Sequence, residues 1–183
     1  TEEATNIAYK VHKAARDAFY NDKIEFEINL EYLKAIKHNE NETPYPNIIA
    51  INDKASVLHY EKRRTVTPHK SYSFLIDAGT SYQAYSSDIT RTYVSKNYEN
   101  SVFGELIKSM EILQNRIIDK IEPSLSYIKL HEIAYSYVAD LLKEFDIVRL
   151  SPDTILEKGI TSIFFPHGLG HLLGIQAHEV GGH

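Results

Sequence analysis

The hydrophobic and polar positions of the chain recur at two spacings, and each spacing predicts a different kind of element. From Thr1 to Tyr20 the apolar residues return every three or four positions, which is typical of an amphipathic helix. The same spacing predicts further helices over residues 24–38, 98–121 and 127–145, and a short helix is expected over residues 151–160. In the last of these, Ser151 suits the N-cap and Pro152 suits the first turn.

A first predicted β-hairpin joins two short apolar runs, Asn47–Asn52 and Ala55–Tyr60. Asp53 and Lys54 lie between the runs and suit a turn. His59 stands at the end of the second run. A single histidine on a strand more often satisfies local hydrogen bonds than it catalyses a reaction, so the pattern alone favours a structural role for His59.

A second predicted hairpin lies between Ser73 and Val94. Its first strand ends at Asp77, and Gly79 then breaks the apolar run. A strand-like pattern resumes from Tyr82 to Tyr93 and carries Asp88. The hairpin therefore places two carboxylates on neighbouring strands, although either aspartate could also serve only to cap a turn.

The order of the predicted elements is helices, two hairpins, helices and a final strand with a glycine-rich loop. This order predicts an α+β domain in which helices cover one face of an antiparallel sheet. A chain of 183 residues, 43% of them hydrophobic, can bury one sizeable core, so one domain is expected.

The composition excludes several classes of function. A net charge of −5 gives no reason to expect nucleic acid or an anionic membrane as a partner. No apolar run approaches the ~20 residues of a membrane span, and the first residues lack the pattern of a secretory signal. Cysteine is absent, which rules out disulfides and thiolate chemistry. We expect a cytoplasmic protein.

The segment from Phe164 to His183 concentrates candidate chemistry. It holds five of the eight glycines together with His167, His171 and His178. Glycines are costly inside a helix, so a loop is expected in which the histidine side chains can converge. A polar surface loop would show the same composition, and the segment alone does not separate the two.

Two neighbouring aspartates and a histidine suit a metal ion. Carboxylates within a few ångströms of each other repel unless a proton or a cation lies between them. Hard divalent cations prefer carboxylate oxygen, and a histidine added to the set favours manganese, zinc, iron or cobalt.

Four stretches closely resemble one metallopeptidase family, which includes prolidases, aminopeptidase P, methionine aminopeptidase and creatinase. They are LIDAG, SSDITRTY, PHGLGHLLGIQAHEVGG and the upstream NENETPYPNIIAINDKASVLHY, and the last is similar to the bacterial Xaa-Pro dipeptidase branch. The resemblance covers essentially the whole chain. It implies a pita-bread fold, with residues 1–183 as a partial catalytic domain that lacks the family's N-terminal domain and last strands.

The resemblance also implies roles for particular residues. Asp77 would bind one metal ion, Asp88 would bridge two and His171 would bind the second. Two glutamates of the family would complete the ligand set, and they would lie beyond His183. Thr90 would hydrogen-bond a ligand carboxylate.

Three further histidines would serve the substrate. His59 and His178 would hold its carbonyl or carboxylate, and His167 would support the site from outside the ligand set. Glu179 stands where the family more often has aspartate, which leaves its role open.

The implied activity is hydrolysis of Xaa-Pro dipeptides by a hydroxide shared between two divalent cations, which we expect to be Mn²⁺. We expect the 183-residue chain alone to bind metal weakly and to be inactive. An open sheet edge would leave homodimerisation open. Two alternatives are a non-catalytic pita-bread module that binds a peptide or protein, and a mononuclear iron oxygenase.

Overall fold

The computed structural model describes residues 1–66 and 68–180, and within them the chain forms six α-helices, three short 3-10 helices and five strands. The helices are α1 (Glu2–Tyr20), α2 (Glu25–Ile36), α3 (Val102–Ile118), α4 (Tyr127–Glu144), α5 (Pro152–Glu157) and α6 (Thr161–Phe164). The strands are β1 (Ile48–Ile51), β2 (Ser73–Ala78), β3 (Ser81–Tyr82), β4 (Tyr85–Ser86) and β5 (Ile89–Val94). The predicted α+β class is confirmed.

The main sheet has three antiparallel strands in the order β1-β2-β5. Its register places Asp77 of β2 between Ile48 of β1 and Thr90 of β5. Strands β3 and β4 form a separate small hairpin within the connection from β2 to β5. The predicted second hairpin is therefore confirmed, except that its second strand is interrupted at residues 83–84 and 87–88.

The first predicted hairpin is wrong. Residues Asn52–Ser56 form a 3-10 helix, and β1 pairs with β2 instead of with a strand ending at His59. The side chain of Asn52 explains the difference. It accepts hydrogen bonds from the backbone of Tyr72 at 2.7 Å and of Ser73 at 3.2 Å, and it donates to the carbonyl of Lys70 at 2.6 Å. These bonds tie the end of β1 to the start of β2.

The expected strand before the histidine loop is also wrong for the part that the structure describes, because no strand occurs among residues 165–180. Phe165 and Leu169 instead pack against the apolar cluster of α3, α4 and α5. The prediction of an irregular loop holds through Val180, and residues 181–183 lie outside the described part.

The chain divides into two compact units. The first unit contains residues 1–99 and 172–180, and the second contains residues 100–171. In the first, α1 and α2 pack on one face of the sheet through alternating strand residues such as Ile49, Phe74 and Ile76. Strand side chains alternate between faces, so Asp77 points to the face opposite to these helices. In the second unit, α3, α4 and α5 surround an apolar core. No helix among the described residues has the length and apolar character needed to cross a membrane.

Candidate metal centre

Asp77 and Asp88 are brought together by a tight return of the chain after β2. The carbonyl of Thr80 accepts a hydrogen bond from the backbone N–H of Ser87 at 2.9 Å, and the Ser87 hydroxyl accepts one from the Thr80 N–H at 3.0 Å. At Gly79 a side-chain Cβ would collide with the Ser87 carbonyl oxygen. Only glycine therefore permits this close approach.

The Tyr45 hydroxyl joins the two carboxylates. Its oxygen lies 2.8 Å from Oδ1 of Asp77 and 2.9 Å from Oδ1 of Asp88. A phenol carries a single proton, so it cannot make a full hydrogen bond to both oxygens. The two carboxylate oxygens thus converge on one point, and a hard cation prefers such a set of oxygen ligands.

The surroundings of Asp77 oppose its negative charge. Burial raises the pKa of Asp77, and the neighbouring charge of Asp88 acts in the same direction. Hydrogen bonds from Tyr45 and Thr90, and the charge of His59, act in the opposite direction without cancelling the effect of burial. The bond from Thr90 agrees with the expectation that this residue supports a ligand carboxylate. An adjacent cation would stabilise the negative charge of such a carboxylate.

The backbone after Asp77 is fixed from the helix side. His12 of α1 donates from Nε2 to the carbonyl of Ala78 at 3.0 Å, and the Tyr32 hydroxyl of α2 donates to the carbonyl of Gly79 at 3.0 Å. Both side chains are buried, and burial lowers the pKa of His12. The two bonds fix the strand end that carries Asp77.

His59 is exposed and follows the 3-10 helix in a turn, with its backbone in the left-handed region at φ +53°. A positive charge on His59 acts to lower the pKa of Asp77, more weakly than burial raises it. No strand carries His59, and its role towards the substrate, which the resemblance implies, stays a prediction.

The loop of residues 172–180 carries His178, which is exposed. The loop is held to β4, because Ser86 donates from its backbone to the carbonyl of Gly174 at 2.7 Å and from its hydroxyl to that of Ile175 at 3.1 Å. Ser86 precedes Asp88 by two residues. His178 is therefore on a segment anchored to β4, two residues before the second aspartate.

Glu179 has a structural task in this loop. Its Oε2 accepts hydrogen bonds from the backbone N–H groups of Ile175 at 2.8 Å and Gln176 at 3.2 Å. A Cβ at Gly174 would collide with the same carboxylate. The glutamate thus closes the turn that places His178, which accounts for a residue whose role the sequence left open.

His167 and His171 are exposed and belong to the second unit. Their convergence with the aspartates stays a prediction. Across residues 1–66 and 68–180, no group of three or more histidine, cysteine, aspartate or glutamate side chains forms a possible metal site. Of the predicted ligands, the structure joins Asp77 and Asp88. This pair fits a divalent cation as part of a ligand set.

Sequence reasoning missed Tyr45, His12 and Tyr32. Tyr45 lies in a proline-flanked loop that gives no local sign of contact with Asp77, 32 residues further along the chain. His12 and Tyr32 are part of periodic helix patterns in which they look like ordinary core residues. A weak signal existed at Gly79, because a glycine directly after a strand and close to an aspartate indicates a close approach of backbone.

Comparison with known proteins identifies the family. The pattern of metallopeptidase family M24 matches residues 1–183. The chain belongs to this family.

Its similarity to particular relatives is also high. It is 48% identical to the Xaa-Pro dipeptidase of Shewanella woodyi over 98% of this chain and 40% of that protein. It is 47% identical to the Xaa-Pro dipeptidase of Pseudoalteromonas atlantica over 99% of this chain and 41% of that protein. The chain thus spans about two fifths of the length of these relatives.

Among solved structures, the zinc-substituted Escherichia coli aminopeptidase P in complex with product is similar in fold, with a TM-score of 0.88 and 23% identity. The match covers 98% of this chain and 41% of that chain. The low-pH form of the same enzyme matches with a TM-score of 0.87 and 23% identity. The architecture is therefore that part of the pita-bread fold which the chain covers.

Proposed function

We propose that the protein containing this chain hydrolyses Xaa-Pro dipeptides at a centre of two divalent cations. Family membership supports a metallopeptidase, and the identity of 47–49% to Xaa-Pro dipeptidases supports the substrate class. The observation that carries the proposal is the convergence of Asp77 and Asp88 on the single hydroxyl of Tyr45.

In the proposed centre, Asp77 and His171 would each hold one cation and Asp88 would hold both. Mn²⁺ suits a set dominated by carboxylate oxygen. When bound, two such cations activate water as the nucleophile and polarise the scissile carbonyl group. Tyr45 and Thr90 hold the carboxylates in their orientation, since a ligand carboxylate needs hydrogen bonds on its remaining lone pairs.

In this proposal the exposed histidines bind or support the dipeptide substrate. His59, on the segment after the 3-10 helix, and His178, on the loop held by Ser86, bind the carbonyl or carboxylate of the substrate. His167 acts from further out. These roles require an imidazole that donates a hydrogen bond, which alanine cannot replace.

Replacement of one ligand tests the proposal in the full-length protein. We expect Asp88→Asn to abolish hydrolysis of a Xaa-Pro dipeptide and to reduce the metal content measured by atomic emission. His59→Ala should keep the metal and mainly lower kcat. Asp140→Asn, an exposed change on α4, is the matched control and should alter neither quantity. Full activity of Asp88→Asn would contradict the proposal, and loss of metal in His59→Ala would move that residue into the ligand set.

For the 183-residue chain alone we infer weak metal binding and no peptidase activity. Two Mn²⁺ ions carry four positive charges, whereas Asp77 and Asp88 supply two negative charges and His171 is neutral. Calorimetric titration with Mn²⁺ measures the affinity and stoichiometry. Two tightly bound ions would contradict this inference, and one tightly bound ion with two histidine ligands would favour the mononuclear alternative.

A further inference from the structure

The segment that carries His59 is anchored at both ends by one buried carboxylate. Glu25, the first residue of α2, has an exposed fraction of 0%. Its Oε1 accepts the N–H of Ile51 at 2.9 Å. Its Oε2 accepts the hydroxyl of Tyr60 at 2.8 Å and the N–H of Arg64 at 2.7 Å. The segment from Ile51 to Arg64 therefore begins and ends on Glu25.

A carboxylate buried so completely is costly unless hydrogen bonds and dipoles compensate for its lost hydration. Glu25 has three donors and lies at the N-terminus of a helix, where the helix dipole favours negative charge. Tyr60 is itself buried, and burial followed by the bond to Glu25 raises the pKa of Tyr60 to about 12. The bond between the two side chains thus keeps a neutral phenol as the donor.

The tip of this segment has little packing of its own. Val57 and Leu58 are exposed by 48% and 56%, and His59 has a left-handed backbone that residues other than glycine rarely adopt. Tyr60, directly after His59, is the nearest residue that Glu25 holds. The anchor therefore defines where the exposed histidine can lie.

Glu25 does not touch the aspartates itself. It binds Ile51 at one end of β1, whereas Asp77 pairs with Ile48 at the other end. Three residues of a strand span about 10 Å. Glu25 can therefore influence the site through the segment that it anchors.

We propose that Glu25 is a positioning residue, which fixes the 51–64 segment and with it the place of His59. The proposal rests on the proposed function for its effect on catalysis, because His59 is there assigned to the substrate. Its structural part, the anchoring of residues 57–64, stands without that assignment.

Glu25→Gln in the full-length protein is the decisive variant. Glutamine retains one oxygen, which can accept from Ile51 or from Arg64 but not from both. We expect faster amide hydrogen exchange over residues 57–64, unchanged metal content, and a 10- to 100-fold lower kcat/KM for a Xaa-Pro dipeptide, because small displacements of substrate-positioning groups have effects of this size. Tyr60→Phe removes one of the three bonds and should show a smaller change of the same kind.

Glu31→Gln is the matched control, since Glu31 lies on the same helix, is partly exposed and forms an exposed ion pair with Lys34. It should leave exchange, metal content and kcat/KM unchanged. All assays are made at a temperature where thermal unfolding shows each variant to be fully folded.

The outcomes separate the two proposals. Wild-type exchange over residues 57–64 in folded Glu25→Gln would show that Glu25 does not anchor the segment and would overturn the inference. Faster exchange with wild-type kcat/KM would show a purely structural residue and would overturn its positioning role, as would loss of metal together with activity. If the wild-type protein cleaves no Xaa-Pro dipeptide, the proposed function fails. Exchange alone then decides: faster exchange over 57–64 supports the anchor and unchanged exchange overturns it.

Discussion

The two units of the chain differ in the number of polar side chains that they bury. Among the described residues, the second unit has one fully buried polar side chain, Thr161. The first unit has a much larger set: His12, Glu25, Asn29, Asn47, Ser73, Thr80, Ser86 and Ser87. The first unit also holds both aspartates of the candidate metal centre.

Buried apolar groups and buried polar groups constrain a structure in different ways. Apolar side chains pack without fixed direction, and a helical core tolerates adjustment of this packing. Hydrogen bonds have direction, and buried groups that lose their partners are costly. The first unit uses such bonds around the end of β2, where they hold the backbone next to the two aspartates.

A methyl group added at a glycine should produce the largest difference in stability between the two units. Gly79→Ala forces a Cβ against the Ser87 carbonyl, and we expect a loss of about 3 kcal/mol in the free energy of unfolding, as for severe overpacking. In the second unit, Gly168→Ala places its Cβ 3.7 Å from the nearest heavy atom, the Gly170 carbonyl oxygen, and should be nearly neutral. Urea unfolding of both variants measures the difference. Equal stabilities would show that the return after β2 can relax.

Removal of a single hydroxyl group should also destabilise the first unit more than the second, but by less than the glycine substitution does. Tyr32→Phe leaves the carbonyl of Gly79 without its donor, which should cost about 1–2 kcal/mol. Tyr137→Phe on α4 is the control in the second unit, because the ring of Tyr137 faces Arg116 and packs on the apolar core. Thermal unfolding measures both. A cost for Tyr137→Phe as large as that for Tyr32→Phe would contradict the distinction.

Acid should weaken the first unit through His12. Burial lowers the pKa of His12 in the folded protein, so the unfolded chain takes up the proton first as pH falls. The stabilisation that comes from keeping His12 neutral in the folded protein is complete well above pH 6.5, and it is lost as pH falls below that value. The loss by pH 6 is at most about 0.8 kcal/mol for an unfolded pKa near 6.5. The free energy of unfolding, measured with urea at pH 7.5 and pH 6, should change less with pH in His12→Gln than in the wild-type protein. Equal changes in the two proteins would exclude His12 as the cause.

Elements set by local pattern were predictable from the sequence. The helix predicted from Thr1 to Tyr20 is observed as Glu2–Tyr20, because its apolar spacing is regular. Ser151 caps α5 as predicted, with its hydroxyl accepting from Thr154 at 3.3 Å. Asp77 and Asp88 also belong to one local hairpin, so the sequence could place them together.

Features set by distant contacts were not predictable in the same way. The run ending at His59 looks like a strand, but side-chain bonds from Asn52 and Glu25 direct the chain elsewhere. Tyr45 reaches both carboxylates across a separation that no local pattern reveals. The roles of His59, His167, His171 and His178 still rest on resemblance and remain predictions.

The hydrogen bonds between Ser86 and the loop of residues 172–180 have a consequence for the order of folding. Ser86 and Ile175 are 89 residues apart along the chain, whereas the two aspartates are separated by one short hairpin. Closing the longer loop costs about 2 kcal/mol more in chain entropy by the logarithmic dependence on loop length. We therefore expect the aspartate pair to assemble early, from local contacts, and the segment carrying His178 to join it in one of the last steps of folding.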